Sequence, residues 1–281
     1  MATLRIGVVQ ACSGISPQAN AAWITERLRE AAARGAALAF TPEMSGRLDR
    51  NRARLLAPRM LEVDEPTLAA ARAVARDTGL WVALGSLAVR RAADLPLLVN
   101  RSFLIDGGGG IAARYDKIHR FDVDLGEGQR YRESATFEAG DAAVVAPTPW
   151  GPLAMTVCYD LRFPGLWDAL ARARPVMAAV PSAFTRPTGA AHWDVLLRAR
   201  AIELGSFVIA AAQTGIHEDG RETHGHSLVV GPWGDVLLDM GETPGVAVLD
   251  LDLAAVDRAR AQIPALEHRR PFAGPVVPAG T

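Results

Sequence analysis

The feature that most constrains the fold of this chain is an alternation of two kinds of segment. Short runs rich in β-branched and other apolar residues are separated by longer, alanine-rich segments whose apolar residues recur at helical spacing. This alternation is typical of α/β proteins, in which helices cover a sheet. In the first part of the chain it predicts strands over 4–9, 37–41 and 80–89, and helices over 18–34 and 66–78.

The alternation is interrupted after the third strand, where no helix follows. Residues 100–106 and 111–116 flank four glycines, which predicts two antiparallel strands joined by a loose turn. Neither a Lys-Ser or Lys-Thr pair nor a helix follows the glycines, so a turn is favoured over a phosphate-binding loop. The second half resumes the alternation, with strands over 143–147, 153–158, 176–182, 207–213, 226–230, 235–239 and 246–252 and helices over 164–174 and 192–204.

Length and charge limit the organisation and the partners of the protein. At 281 residues, one large α/β domain over 1–262 is expected, followed by a proline-rich extended tail over 263–281. Lys and Arg total 30 against 31 Asp and Glu, which gives no electrostatic basis for binding nucleic acid or an anionic membrane. The sequence shows neither a signal peptide nor a membrane-spanning apolar run, so a cytoplasmic location is expected.

The two cysteines, Cys12 and Cys158, form no CxxC pair and no disulfide framework, which suits a reducing compartment. Cys158 ends an apolar run, and ligands gather at the carboxyl ends of strands in open α/β sheets. It is therefore a candidate nucleophile, although small thiols are among the most buried residues and a structural role is the alternative. Cys12 is interpreted as a packing residue.

A cysteine nucleophile needs a base, and the six histidines offer no decisive candidate. His224 and His226, two apart on a predicted strand, would share a face, but no third metal ligand stands nearby in the sequence. No metal site is predicted.

Two charged residues are better placed. Glu43 comes just past the predicted strand 37–41, after a proline. Lys117 comes at the end of the predicted strand 111–116, as the next residue. Both are expected at the same edge of the sheet as the cysteine. Glu133 lies in a polar loop and by itself indicates little.

Taken together, these residues and their surroundings resemble the nitrilase superfamily of carbon-nitrogen hydrolases. The resemblance covers nearly the whole chain, and the stretches that carry it are PEMS, YDKIHRFD, RES, CYDLRFP, HWDVLLRARAIE and GHSLVVGPWGDVL. It implies a catalytic Glu, Lys and Cys with a second Glu, carried here by Glu43, Lys117, Cys158 and Glu133. It also implies that the backbone N–H of Tyr159 helps to hold the oxyanion, and that neither a metal nor an organic cofactor is required.

The same resemblance implies an α/β fold, a four-layer α-β-β-α sandwich with two mixed β-sheets and the helices outside. Members of the superfamily pair through the helical surface after the cysteine motif, here LRFPGLWDALARA. A homodimer is therefore implied, with higher assembly left open.

The residues after the cysteine favour an amidase. Nitrile-hydrolysing members usually carry Trp and Glu there, whereas this chain has Tyr159 and Asp160. The stretches 181–193 and 210–230 resemble the Nit-type branch that acts on deaminated glutathione. The alternatives are the ω-amidase branch, which acts on α-ketoglutaramate, another carbamoyl or amide hydrolase, and a non-catalytic scaffold of the same fold. Because all four catalytic positions are filled, the scaffold is disfavoured.

The substrate-binding residues predicted from this comparison are Phe184, Thr185 and Arg186, where the ω-amidase branch has a different stretch. An anionic substrate needs cationic partners, and a guanidinium can bind a carboxylate through two parallel hydrogen bonds. Arg186 is the candidate for that contact. Arg162 is interpreted as a structural residue that ties the cysteine loop to an acid.

Overall fold

Two mixed β-sheets pack face to face, with helices on their outer sides. The structure is a computed structural model and describes residues 3–58, 60–126 and 130–275. Its strands are β1 (Thr3–Gln10), β2 (Leu38–Phe40), β3 (Trp81–Val89), β4 (Leu98–Ile105), β5 (Ile111–Asp116), β6 (Asp122–Asp124), β7 (Arg130–Arg132), β8 (Phe137–Glu138), β9 (Val144–Ala146), β10 (Leu153–Met155), β11 (Met177–Ala179), β12 (Phe207–Ala210), β13 (Thr214–Ile216), β14 (Glu222–His224), β15 (Leu228–Val230), β16 (Val236–Asp239) and β17 (Gly245–Asp252). Its helices are α1 (Pro17–Ala33), α2 (Arg52–Leu56), α3 (Pro66–Thr78), α4 (Pro164–Ala171), α5 (Arg186–Leu204) and α6 (Ala254–Gln262).

The first sheet has the strand order β17-β1-β2-β3-β4-β5, with β8 paired to β4. The second has the order β16-β15-β12-β11-β10-β9, and β6-β7 and β13-β14 form separate two-stranded ribbons. Both large sheets combine parallel and antiparallel pairs, for example β1 with β2 and β1 with β17. The predicted α-β-β-α sandwich of two mixed sheets is confirmed.

The core lies between the sheets and beneath the helices. Ile6 and Phe40 of the first sheet belong to the same buried cluster as Met155 and Ile209 of the second. A second buried cluster joins α1 and α3 to the outer face of the first sheet. Burial on both faces explains why the central strands are continuous apolar runs rather than alternating ones.

The helix ends follow their local sequence. The side chain of Ser16 caps α1 by accepting from the N–H of Ala19 at 3.3 Å. The carboxylate of Glu65 caps α3 in the same way, and Gly79, at φ 76°, ends that helix in the left-handed conformation.

Several predicted boundaries were wrong. Helix α5 begins at Arg186 rather than at 192, because Pro187 occupies the first turn, where its missing N–H costs no hydrogen bond. Helix α4 ends at Ala171 rather than at 174. Strand β10 ends at Met155, so Cys158 does not end a strand but begins a 3₁₀ turn over Cys158–Arg162. Helices α2 and α6 were not predicted.

The C-terminal segment after α6 forms neither helix nor strand from residue 263 to residue 275. Residues 276–281 lie outside the described residues, and the domain boundary at 262 stays a prediction. None of the helices in the described ranges has the length and apolar character that crossing a bilayer would require.

Candidate active site

The residues predicted to carry the chemistry meet at one edge of the sandwich. Glu43 follows β2 and Lys117 follows β5, and these strands run in the same direction because two antiparallel pairings separate β5 from β3. Cys158 follows β10 of the facing sheet, and Glu133 begins a 3₁₀ turn after β7. Side chains from both sheets therefore converge on one site.

Lys117 is the centre of this cluster. Its side chain is 3% exposed, and Nζ lies 2.9 Å from Glu43 Oε1, 3.0 Å from Glu133 Oε1 and 2.9 Å from Glu133 Oε2. Its backbone is fixed as well, because its N–H donates to Asn100 and its carbonyl accepts from Gly140. The ammonium is held in place before any substrate binds.

The charges explain the protonation of Lys117. Burial by itself lowers the pKa of this ammonium, but the negative charges of Glu133 and Glu43 outweigh burial and hold the pKa well above its usual range. Lys117 is therefore positively charged at any physiological pH.

Asn100, on β4, is a member of the site that sequence reasoning missed. Its Nδ2 donates to Glu43 Oε1 at 2.9 Å and to Glu133 Oε1 at 3.1 Å. The residue is buried, and the polar triplet Asn100–Arg101–Ser102 within a strand that begins and ends with apolar residues was the signal that could have found it.

The carboxylate of Glu133 accepts hydrogen bonds from three residues. In addition to Lys117 and Asn100, the backbone N–H of Phe121 donates to Oε2 at 2.6 Å. These contacts fix the carboxylate against Lys117, so the second glutamate is oriented by the fold rather than free in solvent.

Cys158 has an unusual backbone. Its φ of 49° lies in the left-handed region, which a residue with a Cβ adopts only when its surroundings enforce it. Its N–H donates to the carbonyl of Pro181 at 2.9 Å, and its buried thiol lines the same cavity as Glu43, Lys117 and Ala183. Burial, reinforced by the charge of Glu43, raises the pKa of the Cys158 thiol well above its usual range in spite of Lys117. The resting site thus contains a neutral thiol beside a carboxylate.

The turn that carries Cys158 is anchored by Asp160, which the sequence analysis used only to distinguish an amidase from a nitrilase and to which it gave no structural role. This fully buried carboxylate accepts from the Tyr115 hydroxyl at 2.7 Å and from the N–H groups of His119 and Val157 at 3.0 and 2.9 Å. Burial and the charge of Asp160 raise the pKa of Tyr115, so its hydroxyl stays a donor. These contacts position the N–H of Tyr159, the predicted oxyanion donor, which has no acceptor among the described residues.

The cluster opens into a cavity of about 770 Å³. Phe121, Tyr131 and Tyr159 form an aromatic wall, with the Phe121 ring 5.2 Å from Tyr131 and 5.0 Å from Tyr159. A space of this size accommodates a substrate larger than a simple amide.

The predicted substrate-binding residues all line this cavity. Phe184 is buried against Trp193, Thr185 precedes α5, and Arg186 opens that helix. Nη2 of Arg186 lies 2.9 and 3.1 Å from the two carboxylate oxygens of Glu242, and its side chain is half exposed. The role of Arg186 in binding a carboxylate stays a prediction, and its charge is already paired.

The interpretation of Arg162 was wrong. Asp160, not Arg162, ties the cysteine turn to the rest of the protein, whereas Arg162 lines the cavity with its guanidinium 5.2 Å above the Phe184 ring. Its other contact is His192, 3.2 Å from Nη1, and no carboxylate in the described ranges pairs with it. Arg162 is therefore a cation in the same cavity as the nucleophile, without a counter-ion among the described residues.

Other sequence-derived interpretations concern Cys12 and the two histidines, His224 and His226. Cys12 is exposed, so its interpretation as a packing residue was wrong. The rings of His224 and His226 stack at 4.6 Å, and within the described residues no group of three metal-ligating side chains is found. Neither histidine approaches the cluster closely enough to form a hydrogen bond with Cys158.

A two-sheet sandwich with a Glu, Lys and Cys cluster at its edge is the architecture of a nitrilase-type hydrolase. The chain belongs to the carbon-nitrogen hydrolase family, whose model matches residues 5–261, and it is an amide-hydrolysing enzyme.

Three relatives illustrate the similarity. A protein from Yersinia enterocolitica named deaminated glutathione amidase is 39% identical over 279 residues, covering 99% of this chain and 96% of the relative. The NitFhit protein of C. elegans is 34% identical with a TM-score of 0.89, and the similarity covers 95% of this chain but 65% of NitFhit. An amidase from Nesterenkonia sp. AN1, solved with acrylamide added at its active site cysteine, is 28% identical with a TM-score of 0.77, covering 94% of this chain and 99% of the amidase.

Proposed function

We propose that this enzyme hydrolyses deaminated glutathione through a cysteinyl thioester and releases α-ketoglutarate and Cys-Gly. The observation that carries the proposal is the buried Cys158 thiol, which lies in one cavity with the Glu43–Lys117 ion pair and with Arg162, an arginine that has no carboxylate partner among the described residues. The Yersinia enterocolitica relative named deaminated glutathione amidase supports the choice of substrate.

The first step forms the thioester. Since the resting thiol is neutral, Glu43 removes its proton as sulfur attacks the amide carbonyl, and no preformed thiolate is needed. The negative charge that develops on the carbonyl oxygen is stabilised by Lys117 and the N–H of Tyr159. Removing one such donor costs about a hundred- to a thousandfold in rate in well-studied enzymes.

The leaving group then departs. Protonated Glu43 gives its proton to the amide nitrogen, the carbon–nitrogen bond breaks, and the amino group of Cys-Gly is released. The acyl group remains on Cys158 as a thioester. A water molecule that gives a proton to Glu43 attacks the thioester, and the thiol recovers its proton as the acid leaves. Glu133 keeps Lys117 oriented throughout and is a positioning residue.

The acyl part of the substrate carries an α-keto carboxylate that needs a cationic partner. Arg162 suits this role because it lines the cavity, follows the nucleophile closely in sequence and has no carboxylate partner among the described residues. Arg186, the residue predicted from sequence, can bind this carboxylate only if the substrate displaces Glu242 from its ion pair with Arg186.

The decisive assay follows α-ketoglutarate release from deaminated glutathione and, separately, from α-ketoglutaramate. The proposal expects faster turnover of deaminated glutathione, lost in Cys158→Ala. Preference for α-ketoglutaramate would reassign the enzyme to ω-amidase activity with the same mechanism. No release from either substrate by reduced, folded protein would reject both and favour a carbamoyl amide or a scaffold role.

We also propose a cytoplasmic homodimer. The free cysteines suit a reducing compartment. Most of the apolar side chains of α4 are buried in their own subunit, but α5 beside it presents Val195 and Ile202 to solvent, 66% and 56% exposed. These two exposed apolar side chains on one helix are suited to contact with a second subunit of the same protein. Sedimentation velocity of the wild type and of Val195→Glu tests this: a dimer dissociated by the substitution is expected, and a monomeric wild type would reject it.

A further inference from the structure

Arg47 is a cation at the cavity that the mechanism above does not use. It lies four residues after Glu43 in the same loop and lines the cavity, and its side chain is only 13% exposed. Its Nε is buried and has no hydrogen-bond partner in the described structure. A buried guanidinium N–H without an acceptor costs folding free energy unless a ligand supplies the acceptor.

Among the described residues, the carboxylate that Arg47 contacts, Asp49, is already bound by another residue. Nη2 of Arg47 lies 3.1 Å from Asp49, whereas Arg54 donates to both oxygens of Asp49 at 2.6 and 2.8 Å. The N–H of Asn51 also donates to this carboxylate at 2.9 Å. Asp49 is therefore neutralised mainly by Arg54, and the charge of Arg47 is left under-compensated.

The loop holds Arg47 in a fixed position relative to Glu43. Met44 has a φ of 55°, and the N–H of Arg47 donates to its carbonyl at 3.2 Å. The carbonyl of Gly46 accepts from Asn20 at 2.9 Å, and a Cβ at Gly46 would lie 2.5 Å from the Glu65 carboxylate. A binding group on such a loop loses little conformational entropy when a ligand arrives.

The chemistry of Glu43 decides which end of the substrate Arg47 faces. A general acid must contact the leaving nitrogen, so the cavity wall formed by its own loop borders the leaving group. Resting on the proposed function, we infer that Arg47 binds the terminal carboxylate of the departing Cys-Gly. The amide nitrogen and the terminal carboxylate of Cys-Gly are two residues apart, at most roughly 7 Å when extended, and Arg47 lies only four residues after Glu43 in a loop that lines the cavity.

This contact would determine specificity. An amide whose leaving group is ammonia has no carboxylate at that end, so Arg47 contributes to binding peptide-like substrates alone. Charge-assisted pairing of a guanidinium with a carboxylate is strong when water is excluded. Loss of the contact should therefore raise KM for deaminated glutathione far more than it lowers kcat.

The test compares Arg47→Met with the wild type on three substrates: deaminated glutathione, the same compound with its glycine carboxylate converted to an amide, and α-ketoglutaramate. We expect kcat/KM to fall about ten- to a hundredfold for the first, and less than about twofold for the other two. Arg47→Lys should restore part of the loss. Arg29→Met is the control for removal of an arginine, because Arg29 does not line the cavity and its side chain is 58% exposed.

The outcomes separate this inference from the proposed function. An equal loss on all three substrates, or an equal loss in Arg29→Met, would overturn the role of Arg47 while leaving deaminated glutathione as the substrate. A wild type that hydrolyses α-ketoglutaramate but not deaminated glutathione would reject both proposals. Thermal denaturation of each variant identifies a loss of activity that comes from unfolding.

Discussion

The side-chain amide of Asn100 donates to Glu43 Oε1 at 2.9 Å from within a central strand of the first sheet. The same nitrogen reaches Glu133 at 3.1 Å, so one neutral donor links the carboxylates on either side of Lys117. A second lysine there would neutralise the site, whereas an amide orients the acids without removing their charge. The geometry of the general base therefore depends on a residue that takes no part in proton transfer.

Asn100→Ala should impair both catalysis and stability. Each carboxylate loses a buried donor, which costs about 1–3 kcal/mol of unfolding free energy, and kcat/KM should fall at least about tenfold because Glu43 is less well oriented. Urea denaturation and steady-state kinetics measure the two effects. Ser16→Ala, which removes the cap of α1, is the control and should lower stability without changing kcat/KM. Full activity in Asn100→Ala would contradict the role assigned to this amide.

Glu43→Gln should make Cys158 more reactive towards alkylation while abolishing turnover. Burial and then the charge of Glu43 raise the pKa of the thiol, so removing that charge lowers the pKa and increases the thiolate fraction at pH 7. The rate of iodoacetamide labelling, measured in a Cys12→Ala background, checks this. Slower labelling than in the parent protein at pH 7 would show that Glu43 activates the resting thiol instead.

Stability should fall as pH rises through neutrality because of Glu65. Burial, only partly offset by the N–H of Leu68, raises the pKa of this helix-capping carboxyl to about 7. The folded protein therefore binds its proton more tightly than the unfolded chain, and between roughly pH 4.5 and 7 this group reduces stability by about 3 kcal/mol in total.

Glu65→Gln should remove that pH dependence, since an amide oxygen can still accept from Leu68. Urea denaturation at pH 5 and pH 8 is the measurement. The variant should match the wild type at pH 5 and exceed it at pH 8. A wild type and variant that respond equally to pH would show that Glu65 stays ionised in the folded protein.

Two inactive variants should reveal the backbone strain at the nucleophile. At a φ of 49° glycine is not penalised, whereas alanine is. Cys158→Gly should therefore be more stable than Cys158→Ala by about 1 kcal/mol, the reverse of the usual order in regular structure. Thermal unfolding of the two proteins, both without amidase activity, makes the comparison directly. A less stable glycine variant would mean that the turn does not hold Cys158 in the left-handed region.

The sequence by itself determined the alternation of strands and helices, and its resemblance to the nitrilase superfamily gave the four layers and the principal reactive groups. Apolar periodicity located the long strands and α1 and α3, since burial of a face imposes a repeat that any local window reveals. Glu43 and Lys117 became candidates because each lies just past a strand, and the resemblance to the nitrilase superfamily assigned them to the catalytic set. The resemblance to the nitrilase superfamily added Glu133, which its loop sequence alone did not indicate.

Tertiary structure alone decided how those groups are held and which cations are free. Asn100, Asp160 and Arg47 matter through partners on other strands and turns, and Arg186 is paired with Glu242, 56 residues away. The local pattern of apolar residues indicates which face of a helix or strand is buried. It does not indicate which residues lie opposite that face once the two sheets pack. Whether a charge is neutralised depends on that opposite surface, and so only the folded chain determined it.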